Sequence, residues 1–289
     1  MMYKIIYILF RSLALLPFRM LYVLSDMIYA ILYYVLRYRR KVVDKNVRNS
    51  FPMNTEREIK DIRKGFYHHL ADCIVETVKL LDVTDSEMRK RVEVKNSELI
   101  ERMADDGKSI ILFMGHYGNW EWVQEITRRY KKPGINGEIY RHAKNKVFNR
   151  LIITLRSRFG TMQIEQKKAV RTLLSLHREG KQFLVGFISD QRPNSSNLNH
   201  WLYFLNQETA IAVGGEEIGK HIGANYVYLD IEKPSRGHYV LTFKEIIPHN
   251  DIKDEYPVTA EFYRMFEQTI KRDPAYWLWS HDRWKFKRQ

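Results

Sequence analysis

One cysteine, Cys73, serves all 289 residues. It excludes an internal disulfide framework and any cysteine-rich metal site, and it fits a reducing compartment. No H-E-x-x-H or paired-cysteine spacing occurs, and the neighbours His68 and His69 fall on different faces of one helical stretch, so no metal is expected. No G-x-S-x-G elbow supplies a serine nucleophile, and Cys73 lies in a helical pattern with no base arranged for it. No cofactor is expected either. Internal repeats and low-complexity linkers are also missing. Acidic residues are in short supply, 34 against 48 Lys and Arg, which leaves a formal net charge of +14. That excess suits an anionic partner or surface: nucleic acid, the inner leaflet of a membrane, an acidic carrier protein, or simply solvent.

What is present is apolar and aromatic. Hydrophobic residues are 45% of the chain and aromatics 13%, enough to bury a sizeable core. Residues 3–36 are overwhelmingly apolar, punctuated by Lys4, Arg11, Arg19 and Asp26, and no small-residue cleavage site follows them. Pro17 divides the stretch in two. The second piece, Met20 to Leu36, approaches the lower limit of about 17–25 residues for a bilayer span, and the basic run Arg37–Lys41 follows it directly. Residues 1–38 are therefore expected to be a membrane anchor segment, spanning or lying in the interface, with residues 39–289 as the one domain that follows it. A buried helix is the competing reading. Beyond the anchor, helical spacing (Asn54–Leu81, Trp120–Tyr130, Lys144–Phe159, Lys167–Arg178, Thr209–His221, Thr259–Arg272) alternates with apolar strands (Ser109–Met114, Ile135–Tyr140, Phe183–Ile188, Asn225–Ile231, Tyr239–Ile246). The alternation predicts an α/β fold with a mixed, largely parallel sheet flanked by helices, whose ligands bind beyond the carboxyl ends of the strands.

Two motifs fall at such ends. "GHYGNWE" follows the first buried strand and "SDQRP" the second. A histidine with a carboxylate five residues on is worthless as a bare pattern, since about one such pair arises by chance in this composition. A second instance, His249 with Asp254, sits in a charged loop and reads as solvated. His116 differs by context. Positions five apart on a helix are rotated by roughly 140° and cannot meet. They can meet if His116 lies in the turn and Glu121 in the first helical turn, with Gly115 and Gly118 shaping the backbone and Asn119 as N-cap. An ionised Glu121 would then fix the imidazole tautomer and leave the other nitrogen free as a base for a substrate hydroxyl. Arg192 beyond the second strand could stabilise an oxyanion or grip a phosphate, held by Asp190; a structural Asp–Arg turn uses the same residues. Arg141 and Lys144, at a third strand end, also suit an anionic group.

The sequence resembles the lipid A biosynthesis acyltransferase family over nearly its whole length. The resemblance is carried by "RRKVVDKNVRNSFP" (Arg39–Pro52), "GHYGNWE", "IYRHAKNKVFNRLIITLRSRFG" (Ile139–Gly160), "SDQRP" and the tail "YWLWSHDRWK" (Tyr276–Lys285). It implies a glycerolipid-acyltransferase-like fold and transfer of a fatty acyl chain from acyl carrier protein to a hydroxyl of a lipid A precursor, at the cytoplasmic face of the inner membrane. The family's H-x-x-x-x-E pair maps onto His116 and Glu121, which with Arg192 are implied to be catalytic. Arg141, Lys144, Asp190 and Gln191 are implied to bind substrate. Leu205-Asn206 replace an expected phenylalanine-glycine, which bears on chain length and acceptor. Another amphiphilic acceptor (an aminolipid or glycolipid) is the alternative within enzymes. A non-catalytic basic membrane-surface protein is the alternative outside them. Nucleic acid is not expected, because the motifs sit at strand ends and not on an exposed basic helix.

Overall fold

The structure is a computed structural model that describes residues 2–129, 134–142, 145–195, 198–250, 252 and 254–288. Two apolar helices, α1 (Met2–Ala14) and α2 (Phe18–Ala30), meet at Pro17, and α2 runs on through a π-helical turn, Ile31–Val35. Proline has no N–H to continue the first helix but is at home at the start of the second. Helix α3 (Arg40–Ser50) leads to the long α4 (Glu56–Lys79), which opens with a capping box between Thr55 and Glu58. There follow α5 (Asp85–Arg91), β1 (Val92–Lys95), α6 (Ser97–Asp105), β2 (Ile110–Met114), a 3-10 turn (Trp120–Gln124) and α7 (Glu125–Arg129). Next come β3 (Ile135–Tyr140), α8 (Lys146–Ser157), β4 (Met162–Glu165), α9 (Ala169–Arg178) and β5 (Phe183–Ile188). A hairpin of β6 (Trp201–Phe204) and β7 (Gln207–Ala210) precedes α10 (Gly214–Ile222), β8 (Asn225–Ser235), β9 (His238–Glu245) and α11 (Pro257–Arg272).

The seven-stranded sheet runs β1-β9-β8-β2-β5-β3-β4, and only β8 and β9 pair antiparallel. The mixed, largely parallel α/β sheet read from the sequence is what the structure has. All five residues of β2 are buried, because helices cover both faces; hence the unbroken apolar run. The order places β2, β5 and β3 side by side, so "GHYGNWE", "SDQRP" and "YRH" emerge at one edge.

Two local expectations differ. The helix foreseen over Thr209–His221 begins only at Gly214, and Thr209 and Ala210 lie in β7. Its hairpin turn is Leu205-Asn206, both left-handed at φ 48° and 60°, a two-residue turn that asparagine tolerates and that a helical reading of the apolar spacing passes over. The helix after "GHYGN" starts as a 3-10 turn, and Asn119 makes no cap with its side chain. The tail tryptophans Trp277, Trp279 and Trp284 are all buried in the core.

The N-terminal helices lie against the domain. Leu21, Ser25, Tyr29 and Tyr33, spaced by four, are buried where α2 packs along α4. The opposite stripe, Met20, Val23, Met27, Ile31 and Tyr34, is exposed, and so are Ile5, Ile8 and Leu9 on α1. Among the described residues, Phe18–Val35 is the one helical stretch long and apolar enough to cross a membrane, 18 residues of mean hydropathy 1.3.

Candidate active site

His116 sits two residues beyond the end of β2. Gly115 before it is demanded by packing, since a Cβ there would lie 2.1 Å from the Phe266 ring. Gly118 after it has φ +56°, and a Cβ would meet Ile231 at 2.6 Å. These two glycines let the chain turn sharply against α11 and β8. The C-terminal tail closes the turn from behind: Gly118 N–H donates to Tyr276 O at 3.0 Å and Leu278 N–H to His116 O at 3.1 Å.

The carboxylate on the histidine is Asp190, not Glu121. His116 Nδ1 lies 2.7 Å from Asp190 Oδ1, and the other Asp190 oxygen accepts from Trp277 Nε1 at 2.8 Å. Asp190 is 1% exposed. Burial alone would raise its carboxyl, but the facing His116 imidazole and the N–H groups of His116 and Trp277 hold it below the usual carboxylate range. An ionised Asp190 accepts the Nδ1 proton and so fixes the tautomer with Nε2 unprotonated. Nε2 faces Gln191 Nε2 at 3.3 Å, an amide that can donate to it. The Trp120 ring stands edge-on to the imidazole, 5.2 Å between centroids.

Glu121 is captured elsewhere. Its carboxylate takes a two-point contact from Arg156, Nε at 3.0 Å and Nη2 at 2.6 Å, while Arg156 Nη1 also reaches Glu138 at 3.2 Å. A guanidinium binding a carboxylate at two points outcompetes a neutral imidazole. Burial pushes the Glu138 carboxyl up, against the pull of Arg156. The expected Asp190–Arg192 contact is likewise replaced. With Asp190 taken by His116 and Trp277, Arg192 donates to the Asp282 carbonyl at 2.6 Å and sits 5.7 Å over the Phe286 ring.

A cleft of about 440 Å³ opens in front of Nε2. His116, Arg141, Gln191, Arg192 and Arg156 supply its polar lining, and Ile139, Ile152, Phe187, Ile188 and Ile218 its apolar wall. Lys144 lies outside the described residues. Leu205 and Asn206 do not line the cleft; Asn206 instead donates to the Ser50 carbonyl at 2.9 Å. A second, smaller and mainly apolar cavity lies behind Trp120 and shares Arg156 and Ile188 with the cleft. His116, Arg141, Gln191 and Arg192 therefore share one cleft, with Asp190 directly behind His116 and Glu121 joined to it only through Arg156. Sequence reasoning missed Arg156 and Trp277. Both fall inside quoted blocks, but neither has a spacing that announces a partner 35 or 87 residues away.

Chemically, the arrangement offers one oriented base that, among the described residues, hydrogen-bonds no serine or cysteine side chain, together with fixed cations and an apolar wall. That suits activating a hydroxyl brought by an amphiphilic substrate. The sequence matches no individually curated protein. The family model described as bacterial lipid A biosynthesis acyltransferase matches residues 2–286, and the chain belongs to that family.

Proposed function

We propose that this acyltransferase moves a fatty acyl chain from an acyl carrier protein thioester to a hydroxyl of a lipid A precursor, at the cytoplasmic face of the inner membrane. The observation that carries the reading is His116: Nδ1 on a buried carboxylate, Nε2 turned to a cleft with arginines at its rim and an apolar wall. His116 Nε2 takes the hydroxyl proton as the acceptor oxygen attacks the thioester carbonyl. The tetrahedral intermediate collapses with C–S cleavage, and the departing thiolate takes the proton back from the imidazolium. Asp190 stabilises that cation. Arg192, with Arg141 in the same cleft, meets the developing oxyanion or an acceptor phosphate. The exposed apolar stripe of α2 and the basic run Arg37–Lys41 are suited to hold this cleft at an anionic leaflet, each basic residue adding about 1 kcal/mol.

The test is a single-turnover assay with radiolabelled lauroyl- or myristoyl-acyl carrier protein. Label should leave the carrier only when acceptor lipid is present, and His116→Ala should lower the rate by about 10²–10⁴-fold with the fold intact. Acceptor-independent hydrolysis, or a His116→Ala variant near wild-type rate, refutes the mechanism.

A further inference from the structure

The turn that carries His116 is joined to α2 by two routes, the first of them through the buried carboxylate of Glu76. Glu76, on α4, is fully buried. Its Oε1 accepts from the Tyr22 hydroxyl of α2 at 2.9 Å. Its Oε2 accepts from Asn119 Nδ2 at 2.7 Å and from the Tyr239 hydroxyl of β9 at 2.8 Å. Its main-chain carbonyl accepts from Trp122 Nε1 at 3.1 Å. Glu76 thus holds the segment after His116 by two side chains and α2 by a third. This is why Asn119 does not cap: its amide is used laterally, on a helix 43 residues earlier in the chain.

A second route runs parallel to the first. Ser25 of α2 donates to Asp72 at 2.8 Å, and Asp72 pairs with Lys233 at 3.1 Å. Lys233 Nζ also lies 3.1 Å from His69 Nδ1, and His69 Nε2 lies 3.1 Å from the Gly118 carbonyl. An ammonium can only donate, so His69 accepts at Nδ1 and donates its Nε2 proton to Gly118. Arg236 clamps the same end, bonding Asp26 at 2.6 Å and Asp72 at 2.7 Å. Both routes start on the buried face of α2 and end on Gly118-Asn119, the residues that set the direction of His116.

We infer that Glu76 and His69 are positioning residues for the catalytic base, and that they make α2 and the catalytic turn one rigid unit. Neither touches the cleft, so neither is catalytic. The inference rests on the reading of His116 as the acyl-transfer base. It adds that the docking of the lipid-facing helix sets the geometry of that base, since α2 supplies Tyr22, Ser25 and Asp26 from one face while its opposite stripe is free for the bilayer. A network whose every member is partnered confers rigidity on what it holds.

The test separates acceptor pattern from bulk and charge, in the full-length protein with detergent-dispersed lipid A precursor and a lauroyl- or myristoyl-carrier thioester. Glu76→Gln keeps every contact, its oxygen accepting from Asn119 and Tyr239 as before and its amide donating to the Tyr22 hydroxyl oxygen, which reverses that one bond. Glu76→Met keeps the volume but has no acceptor of comparable strength. Glu76→Met should lose kcat by about 10²-fold at little-changed KM, the effect of a base displaced by about 1 Å, while Glu76→Gln stays near wild type. Tyr22→Phe should show a smaller loss in the same direction. Hydrogen exchange of the segment Gly115–Gln124 gives a readout independent of activity: faster in Glu76→Met and Tyr22→Phe, unchanged in Glu76→Gln. Met103→Ala, in α6 away from the network, is the control for loss of stability alone and should leave this exchange pattern in place. Equal kcat in Glu76→Met and wild type overturns the proposal, and so does an equal loss in Glu76→Gln and Glu76→Met. An unaltered Tyr22→Phe overturns the link to α2. A wild-type protein that transfers no acyl group but shows the exchange pattern refutes the acyl-transfer reading and leaves the positioning network standing.

Discussion

Replacing Asp190 by asparagine separates the two carboxylates that compete for the role of orienting His116. The side chain keeps its size, so packing around a residue 1% exposed is preserved. Its hydrogen-bond logic is not. Asp190 receives two donors, His116 Nδ1–H and the indole N–H of Trp277. The indole can only donate, so the substituted side chain must turn its oxygen to Trp277 and its amide to His116. The amide N–H then satisfies Nδ1 as an acceptor, and the imidazole proton moves to Nε2, the atom that should receive the proton of the acceptor hydroxyl. A wrong tautomer with intact geometry costs about 10⁴ in kcat in a comparable His–Asp pair. Asp190→Asn should therefore fall by about 10³–10⁴-fold, about 4–5.5 kcal/mol of transition-state stabilisation, with melting temperature and acceptor KM little changed. Glu121→Gln should lose far less, within about tenfold, because its carboxylate serves Arg156 and a glutamine still accepts one of those two bonds. The assay is single-turnover acyl transfer of both variants at saturating donor. A large loss in Glu121→Gln beside a near-normal Asp190→Asn would refute the assignment and restore the pairing read from the sequence.

Arg192→Lys keeps the charge but cannot both bond the Asp282 carbonyl and present a planar fork to the cleft; kcat should fall by about tenfold or more at similar acceptor affinity, whereas a change confined to KM would assign the residue to phosphate binding. Stability should depend on acid through His69. Burial, and the Lys233 ammonium facing it, hold this histidine down at about 3, with the Asp72 carboxylate and the Gly118 carbonyl pulling the other way. The unfolded chain takes up that proton as pH drops below about 6.5, so the contribution is complete above that value. It declines by about 1.4 kcal/mol per pH unit toward 3. Urea unfolding at pH 7 and 5 should differ by about 2 kcal/mol from this group, and an equal pH slope in His69→Gln would exclude it as the source. Val23→Glu with Met27→Glu, both on the exposed stripe of α2, should leave the fold intact and cut partitioning to anionic vesicles by tenfold or more, since burying each apolar side chain contributes about 1.5–3 kcal/mol. Unchanged vesicle binding would remove that stripe from the lipid surface.

Local signals in the sequence identified the elements that hold the cleft. An unbroken apolar pentad such as Ile110–Met114 is legible because a parallel strand covered on both faces has no polar side to interrupt it. The helix Glu56–Lys79 is legible because its apolar residues keep one face, and its start carries a capping box. The strands β1 and β4, four residues each, were not legible; they are too short to show a period and owe their form to pairing with β9 and β3. The hairpin at Leu205-Asn206 was hidden for a related reason, since its turn lacks glycine and Thr209 and Ala210 of β7 run into the helical spacing of the residues that follow.

The choice of the wrong carboxylate for His116 shows where single-sequence reasoning about a site stops. Proximity along the chain favoured Glu121, five positions away, and chance favours no particular distant residue. In three dimensions, parallel strands set side by side place the residues just past their ends next to each other whatever their separation in sequence. The register Met114↔Ile188 therefore puts His116 and Asp190, each two residues on, at matching heights. Pairing of β2 with β5 was the missing information, and it is a property of the sheet and of neither motif alone. Glu121 is freed by the same geometry to hold Arg156, whose guanidinium lines both the cleft and the apolar cavity behind it. The residues that resemble a catalytic pair in the sequence thus part company in space: His116, the proposed base, faces the cleft with Asp190 behind it, and Glu121 fixes the Arg156 cation in the wall of that cleft.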